Sequence, residues 1–142
     1  MTSDYKNQLQ HLPGATDWSQ QRDGWWMTAQ ALDVLSTAAS MKELGARLST
    51  ITAAALPDGE TQVIYHYYLD HQAFNFKVVT QKNTLPSISS IVPAADWIER
   101  EIQDLYRVQF TGHPHPDRLI RPVQLEPGFF REPGGAAGKS RR

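Results

Sequence analysis

The chain has 142 residues, of which 40% are hydrophobic, carries a formal net charge of −1, and contains no cysteine. Its length and composition predict one globular domain with its own hydrophobic core. The near-neutral charge gives no reason to expect nucleic acid binding. The lack of cysteine excludes disulfides, a catalytic thiol and cysteine-ligated iron–sulfur clusters in this chain. No apolar run reaches the roughly 18 residues of a membrane span, and the N-terminus shows no signal-peptide pattern.

The N-terminal part is polar and gives way to a short apolar run. Residues 1–23 are rich in Gln and Asp, so we predict a flexible arm. Trp25, Trp26 and Met27 predict the first strand. Thr28 is a plausible N-cap for a helix over about 29–39.

A second helix is predicted directly after the first. Ser40 is a plausible N-cap, and apolar residues follow at helical spacing: Met41, Leu44 and Leu48. Gly45 is expected to weaken this helix without ending it.

The middle of the chain predicts strands. Residues 51–56 are expected to form a buried strand, and 62–69 are the clearest strand. Apolar residues on both faces of 62–69 favour a central position in the sheet. Residues 70–72 indicate a tight turn, and the alternation of Phe74, Phe76 and Val78 predicts a returning strand.

A polar connection over 81–92 leads to an amphipathic helix that begins near Pro93. Its predicted core stripe contains Ala94, Ala95, Ile98, Ile102, Leu105 and Tyr106. Trp97, Glu101 and Asp104 border that stripe and form a predicted docking edge. Glu99 and Arg100 fall at the rim and back of the helical wheel, so we expect both in solvent.

Val108 and Phe110 indicate a brief extended piece after this helix, and the prolines that follow exclude helix. The pattern as a whole predicts an α/β (α+β) two-layer domain with a small mixed sheet and helices packed on one face. We place that domain at 24–122 and an extended, largely disordered tail at 123–142.

The residue types leave no catalytic, cofactor-binding or metal site assigned. His113 and His115 are too few for a zinc site without further ligands. The aromatic residues of 65–76 lack the basic groove that single-stranded nucleic acid needs. A small enzyme that uses Glu101, Asp104 and His113, or a stand-alone protein-binding domain, remains an alternative.

The run from Glu99 to Ile120 resembles a known family signature: E-R-E-x-x-D-L-Y, then F-x-G-H-P, then R-L-I. The resemblance is to the 30 kDa subunit family of respiratory complex I (NADH–quinone oxidoreductase). Related subunits occur in formate hydrogenlyase and energy-converting hydrogenase complexes. The family residues in this chain are Glu99, Arg100, Glu101, Asp104, Leu105, Tyr106, Phe110, Gly112, His113, Pro114, Arg118, Leu119 and Ile120.

The resemblance implies a non-redox accessory subunit that docks on the large catalytic subunit and the iron–sulfur subunit. Fe–S clusters and Ni–Fe or quinone sites are then expected in those partners, with no cofactor in this chain. Membrane association is implied to be indirect, on the cytoplasmic face of the inner membrane. The interface is expected to include Trp97, Glu99, Arg100, Glu101, Asp104, Phe110, Gly112, His113, Pro114 and Arg118.

Three positions depart from the family pattern. Arg107 stands where a glycine is usual, so it must accept a strained left-handed conformation or end the helix differently. Asp117 replaces a basic residue, and His115 is unusual. The short stretch after the motif favours a hydrogenase or formate-hydrogenlyase type of assembly over NADH dehydrogenase.

Overall fold

The computed structural model describes residues 9, 18–29 and 32–114. Within them lie a five-stranded sheet, a two-stranded sheet and two helices, α1 (Val34–Glu43) and α2 (Ala95–Tyr106). The strands are β1 (Ser19–Gln21), β2 (Gly24–Thr28), β3 (Arg47–Ala55), β4 (Thr61–Leu69), β5 (Gln72–Val79), β6 (Thr84–Pro86) and β7 (Gln109–Thr111).

The large sheet has the strand order β1-β2-β5-β4-β3, with β2 and β5 parallel and the other neighbours antiparallel. Register places Tyr65 between Ile51 and Phe76 on one face. That face joins Ala38 and Ile102 of the helices in one hydrophobic core. The predicted two-layer α/β architecture, with a mixed sheet and helices on one face, is confirmed.

The β4–β5 hairpin follows the sequence pattern closely. Its turn residues Asp70 and His71 both have positive φ, 50° and 64°. Positive φ at both positions is typical of a type I′ turn, and the twist of this turn matches that of the two antiparallel strands it joins. Phe74, Phe76 and Val78 are all buried, as their alternation predicts.

The N-terminal side of the sheet extends beyond the predicted boundary. Trp25–Met27 lie in β2, as predicted, but β1 lies within the segment assigned to a flexible arm. The Trp18 ring packs edge-on against Phe74 and Phe76, at centroid distances of 5.6 and 5.2 Å. Residues 18–23 are therefore ordered against the sheet. Most of the rest of the predicted arm lies outside the described residues.

Helix α1 begins five residues later than the sequence indicates. Its N-cap is Asp33, not Thr28, because the Asp33 carboxylate accepts hydrogen bonds from the amides of Leu35 (3.1 Å) and Ser36 (3.0 Å). Those two bonds satisfy amides that lack partners within the helix.

The predicted second helix is wrong. Residues 40–43 continue α1, and Leu48 belongs to β3. The chain leaves the helix at Gly45, whose φ of +87° suits glycine and ends the helical path. Leu44 and Leu48 therefore lie on either side of the boundary between helix and strand, and their helical spacing is a coincidence.

The segment over 81–92, predicted as a polar connection, contains the short strand β6. A two-residue turn at Lys82 and Asn83, both with φ of 54°, leads into it. The Glu60 carboxylate accepts from both of their amides, at 2.9 and 3.0 Å. β6 then pairs in parallel with β7, the brief extended piece predicted around Phe110.

Helix α2 forms as predicted, but its buried face is displaced. Ala95, Glu99 and Ile102 are buried, whereas Ile98 is only half-buried. On a wheel of about 100° per residue, Glu99 lies just past the Tyr106 edge of the predicted apolar stripe, and buried Asp104 lies beyond the opposite edge. The buried face is therefore wider than the predicted stripe and includes Glu99.

Arg107 adopts the left-handed conformation that the family glycine would favour, with φ 63° and ψ 19°. We expect Arg107→Gly to raise the unfolding free energy by about 0.5–1 kcal/mol relative to Arg107→Ala, because glycine lacks the Cβ that strains this conformation. Urea unfolding of the full chain measures the difference. The alanine variant controls for loss of the arginine side chain, and an alanine variant more stable than the glycine variant contradicts the prediction.

A buried Glu99–His113 network beside an exposed tryptophan

The two strands of the small sheet deliver polar groups to one point on α2. Because β6 and β7 are parallel, their carboxyl ends lie at the same edge. Ser87 follows β6, and its amide donates to the Thr111 carbonyl at 2.9 Å. His113 follows β7. Both side chains then reach Glu99.

Glu99 is fully buried and held from the loop after β6. The Ser87 hydroxyl donates to Oε1 at 2.6 Å, and the Ile88 amide donates to Oε2 at 2.8 Å. Burial raises the pKa of Glu99, while the bonds from Ser87 and Ile88 and the nearby His113 oppose that rise. Desolvation is the largest of these effects, so the folded protein binds the Glu99 proton more tightly than an exposed glutamate does.

The His113 ring is 1% exposed and touches α2 at two residues. Nε2 lies 3.1 Å from the Asp96 backbone carbonyl, which only accepts, so Nε2 carries the hydrogen. The same nitrogen is 3.3 Å from Asp96 Oδ1 and 3.7 Å from Glu99 Oε1. Gly112, with φ of +77°, provides the turn that brings His113 back to the helix.

Two tyrosines of the core are close enough to the Glu99 carboxylate to be affected by its charge. Burial, and then the charge of Glu99, raises the pKa of both Tyr65 and Tyr67. Both phenols therefore stay neutral across the physiological range. Glu99, Ser87 and His113 thus form a polar centre inside an apolar core, and this centre links the ends of β6 and β7 to α2.

The predicted interface residues divide into buried and accessible groups. Glu99 and Asp104 are 0% and 2% exposed, so the prediction of a solvated Glu99 is wrong, and Asp104 does not form an exposed edge. Phe110 is also buried. Trp97, at 58%, Gly112 and Pro114 are exposed, and Arg100 and Glu101 are half-buried. Arg118, residues 115–142 and the end of the predicted domain at 122 lie outside the described residues.

Sequence reasoning missed Ser87, Ile88 and Ser89. The Ser89 amide donates to Ser87 Oγ at 3.2 Å, which orients the hydroxyl that binds Glu99. A carboxylate beside an apolar stripe needs hydrogen-bond donors. The Ser87 hydroxyl and the Ile88 amide supply such donors to Glu99. The alternation of serine around Ile88 was the available signal, and it is weak.

The three residues proposed for a small enzyme do not converge. His113 contacts Asp96 and Glu99, whereas Glu101 projects from the other side of α2, roughly 200° from Glu99 on the wheel. Within the described part of the chain, no group of three His, Asp or Glu side chains has the arrangement of a metal site. No helix among those residues is both long and apolar enough to cross a membrane.

The comparisons with known proteins cover most of the chain. Residues 25–132 match the family model of the respiratory-chain NADH dehydrogenase, 30 Kd subunit. The C subunit of NADH-quinone oxidoreductase from Jannaschia sp. (strain CCS1) is 40% identical over 78 residues, 51% of this chain and 38% of that protein. The C/D subunit from Psychrobacter cryohalolentis is 39% identical over 75 residues, 50% of this chain and 13% of that protein. The chain thus matches less than half the length of these relatives.

Two solved structures share the fold. Nqo5, as a trypsin-resistant fragment, aligns with a TM-score of 0.60 and 21% identity over 72% of this chain and 90% of that one. A chain of the membrane-bound sulfane sulfur reductase, an archaeal respiratory membrane complex, aligns at 0.63 and 22% identity, with coverages of 87% and 76%. With the family model matched from Trp25 onward, the chain belongs to the family of the 30 kDa subunit of respiratory-chain NADH dehydrogenase.

Proposed function

We propose that this chain is a non-redox structural subunit of a membrane-associated oxidoreductase complex of the NADH dehydrogenase type. It docks on the large catalytic subunit and on the iron–sulfur subunit, which carry the redox groups. Its membrane association is indirect, on the cytoplasmic side. Family membership supports this assignment, and so does the similarity to the NADH-quinone oxidoreductase protein of Jannaschia. A hydrogenase-type assembly stays a prediction from sequence.

The proposal of a docking surface on α2 rests on one observation: Trp97, on this family-signature helix, is 58% exposed. A single exposed apolar residue is common on protein surfaces. Tryptophan, however, is among the residues that contribute most to binding at protein interfaces. Half-buried Glu101 lies one turn further along α2 and provides a polar rim. On the buried side of α2, the hydrogen bonds from Ser87 and Ile88 to Glu99 tie the helix to the loop after β6, which favours a surface that is preorganised for binding.

We expect Trp97→Ala to weaken association with the rest of the complex by roughly tenfold or more, because it removes an apolar anchor. Glu101→Lys should also weaken association, and its effect should be larger at low salt than at high salt. The thermal midpoint of the isolated chain should change little in both variants, because neither side chain is in the core. Affinity is measured by titrating the tagged full chain into complex depleted of this subunit.

Tyr68→Ala is the matched control. Tyr68 is 43% exposed, but register places it on the sheet face opposite the core. The proposal predicts unchanged affinity for this variant. Loss of binding in Tyr68→Ala with normal binding in Trp97→Ala contradicts the proposed surface. Turnover of NADH with quinone by the purified chain alone contradicts the non-redox role.

A further inference from the structure

An apolar cavity opens beside the N-terminal end of α2. Its volume is about 250 Å³. The wall combines Ala46, which precedes β3, and Leu48, at the start of β3, with Tyr67 of β4 and with residues 91–94, which precede the helix. Small-molecule sites occupy roughly 300–1,000 Å³. The cavity is thus better matched to a side chain of a partner protein than to a whole cofactor.

The cavity is continuous with the exposed part of α2. Pro93 and Ala94 line it and are themselves exposed. Trp97 lies three residues beyond Ala94, a spacing that makes two helical residues surface neighbours. A partner that contacts Trp97 therefore meets the cavity within one helical turn.

The charges at the cavity are all of one sign. Lys42 and Arg47 are the charged residues of its lining, and among the described residues that line it there is no carboxylate. The Lys42 ammonium donates to the Ile91 carbonyl at 3.0 Å, which fixes its position at the rim. Glu43 follows Lys42, but consecutive residues on a helix point in different directions. The rim of the cavity is thus positively charged, and its centre is apolar.

We propose that this cavity receives a large apolar side chain from an acidic segment of a partner protein, with an Asp or Glu next to that side chain. This inference rests on the proposed docking function and adds the partner's chemistry to it. The apolar side chain fills the cavity, and the neighbouring carboxylate pairs with Arg47 and Lys42. Such an arrangement, an apolar centre with a charged rim, is common to protein interfaces.

Two rim variants test the proposal with little risk to folding. Arg47→Glu reverses an exposed charge, and Ala94→Glu adds a carboxylate near the N-terminus of α2, where the helix dipole favours negative charge. Each should weaken association with the complex by roughly tenfold, and the loss should shrink at high salt. The control is Arg22→Glu, an exposed charge at the opposite edge of the sheet, which should bind normally.

A photo-crosslinking residue, benzoyl-phenylalanine at position 94, identifies the occupant in the assembled complex. The expected product joins this chain to a partner segment with a large apolar residue beside Asp or Glu. Cross-linking to a lipid, or to this chain's own C-terminal part, overturns the proposal. If Trp97→Ala weakens association and neither rim variant does, the cavity assignment alone fails. If all three bind normally, the docking surface itself is wrong.

Discussion

Replacing Glu99 with alanine is expected to lower the unfolding free energy by about 3 kcal/mol or more, since it leaves buried polar partners without an acceptor. The Ser87 hydroxyl and the Ile88 amide each lose their bond to the carboxylate. His113 loses a neighbouring carboxylate, whose Oε1 lies 3.7 Å from Nε2. A cavity remains where the side chain was, which adds to the loss. Urea unfolding of the full chain measures the change.

Glu99→Gln separates the shape of the side chain from its proton. Glutamine offers a carbonyl to the Ile88 amide and an NH₂ to the Ser87 oxygen, so below about pH 4.5 the stability of this variant should be close to that of the natural protein. Burial raises the pKa of Glu99 above its ordinary value of 4.5. The stabilisation from proton binding is complete below that pH and is lost as the pH rises through the folded pKa.

The natural protein should therefore lose stability relative to Glu99→Gln as the pH rises from about 4.5. Asp96, His113, Tyr65 and Tyr67 face the same carboxylate and are present in both proteins, so the difference reports mainly on Glu99. Glu101→Gln, on the same helix but half-buried, serves as the control for a glutamate-to-glutamine change outside the network. A stability difference that stays constant between pH 4 and 8, or that grows in favour of glutamate, contradicts this account of the network.

Strong patterns predicted the fold best. β4 alternates over nine residues, and its buried positions Val63, Tyr65, Tyr67 and Leu69 are those the alternation assigns to one face. The extent of α2 was also predicted, because its apolar residues recur over three turns. Both elements lie between clear turn signals, so local pattern and tertiary structure agree there.

Where the sequence pattern was weak or mixed, tertiary contacts determined the local structure. The boundary between α1 and β3 depended on Gly45, and glycine is compatible with both a helix interior and a helix end. The short strand β6 exists because it pairs with β7, more than twenty residues away in sequence. A three-residue strand carries too little periodicity to be recognised alone.

The candidate site was only partly predictable, because its contacts also come from elements distant in sequence. A helical wheel places residues relative to each other, but it does not say which neighbours will supply hydrogen-bond donors. Glu99 falls at the rim of the wheel, and a carboxylate there is expected in solvent. The structure buries it because Ser87 and Ile88 arrive from another element with the donors it needs. The family signature contains both Glu99 and His113, but it gave no contact between them.

Asp104→Lys is expected to lower the unfolding free energy by about 3–5 kcal/mol, because it replaces a buried carboxylate with an ammonium of opposite charge. Asp104 is 2% exposed and has a polar or electrostatic partner within the protein. The new charge must either remain buried without its partner or force α2 away from its neighbours. Thermal and urea unfolding of the full chain both measure this loss.

Glu101→Lys is the matched comparison, with the same change of charge on the same helix three residues earlier. Glu101 is half-buried, and surface substitutions of this kind usually change stability by no more than about 0.5 kcal/mol. The pair distinguishes two causes of failed assembly. Asp104→Lys should fail to assemble because it unfolds, whereas Glu101→Lys should remain folded and bind weakly. If Asp104→Lys melts at the same temperature as the natural protein but does not bind, the carboxylate belongs to the interface and not to the core.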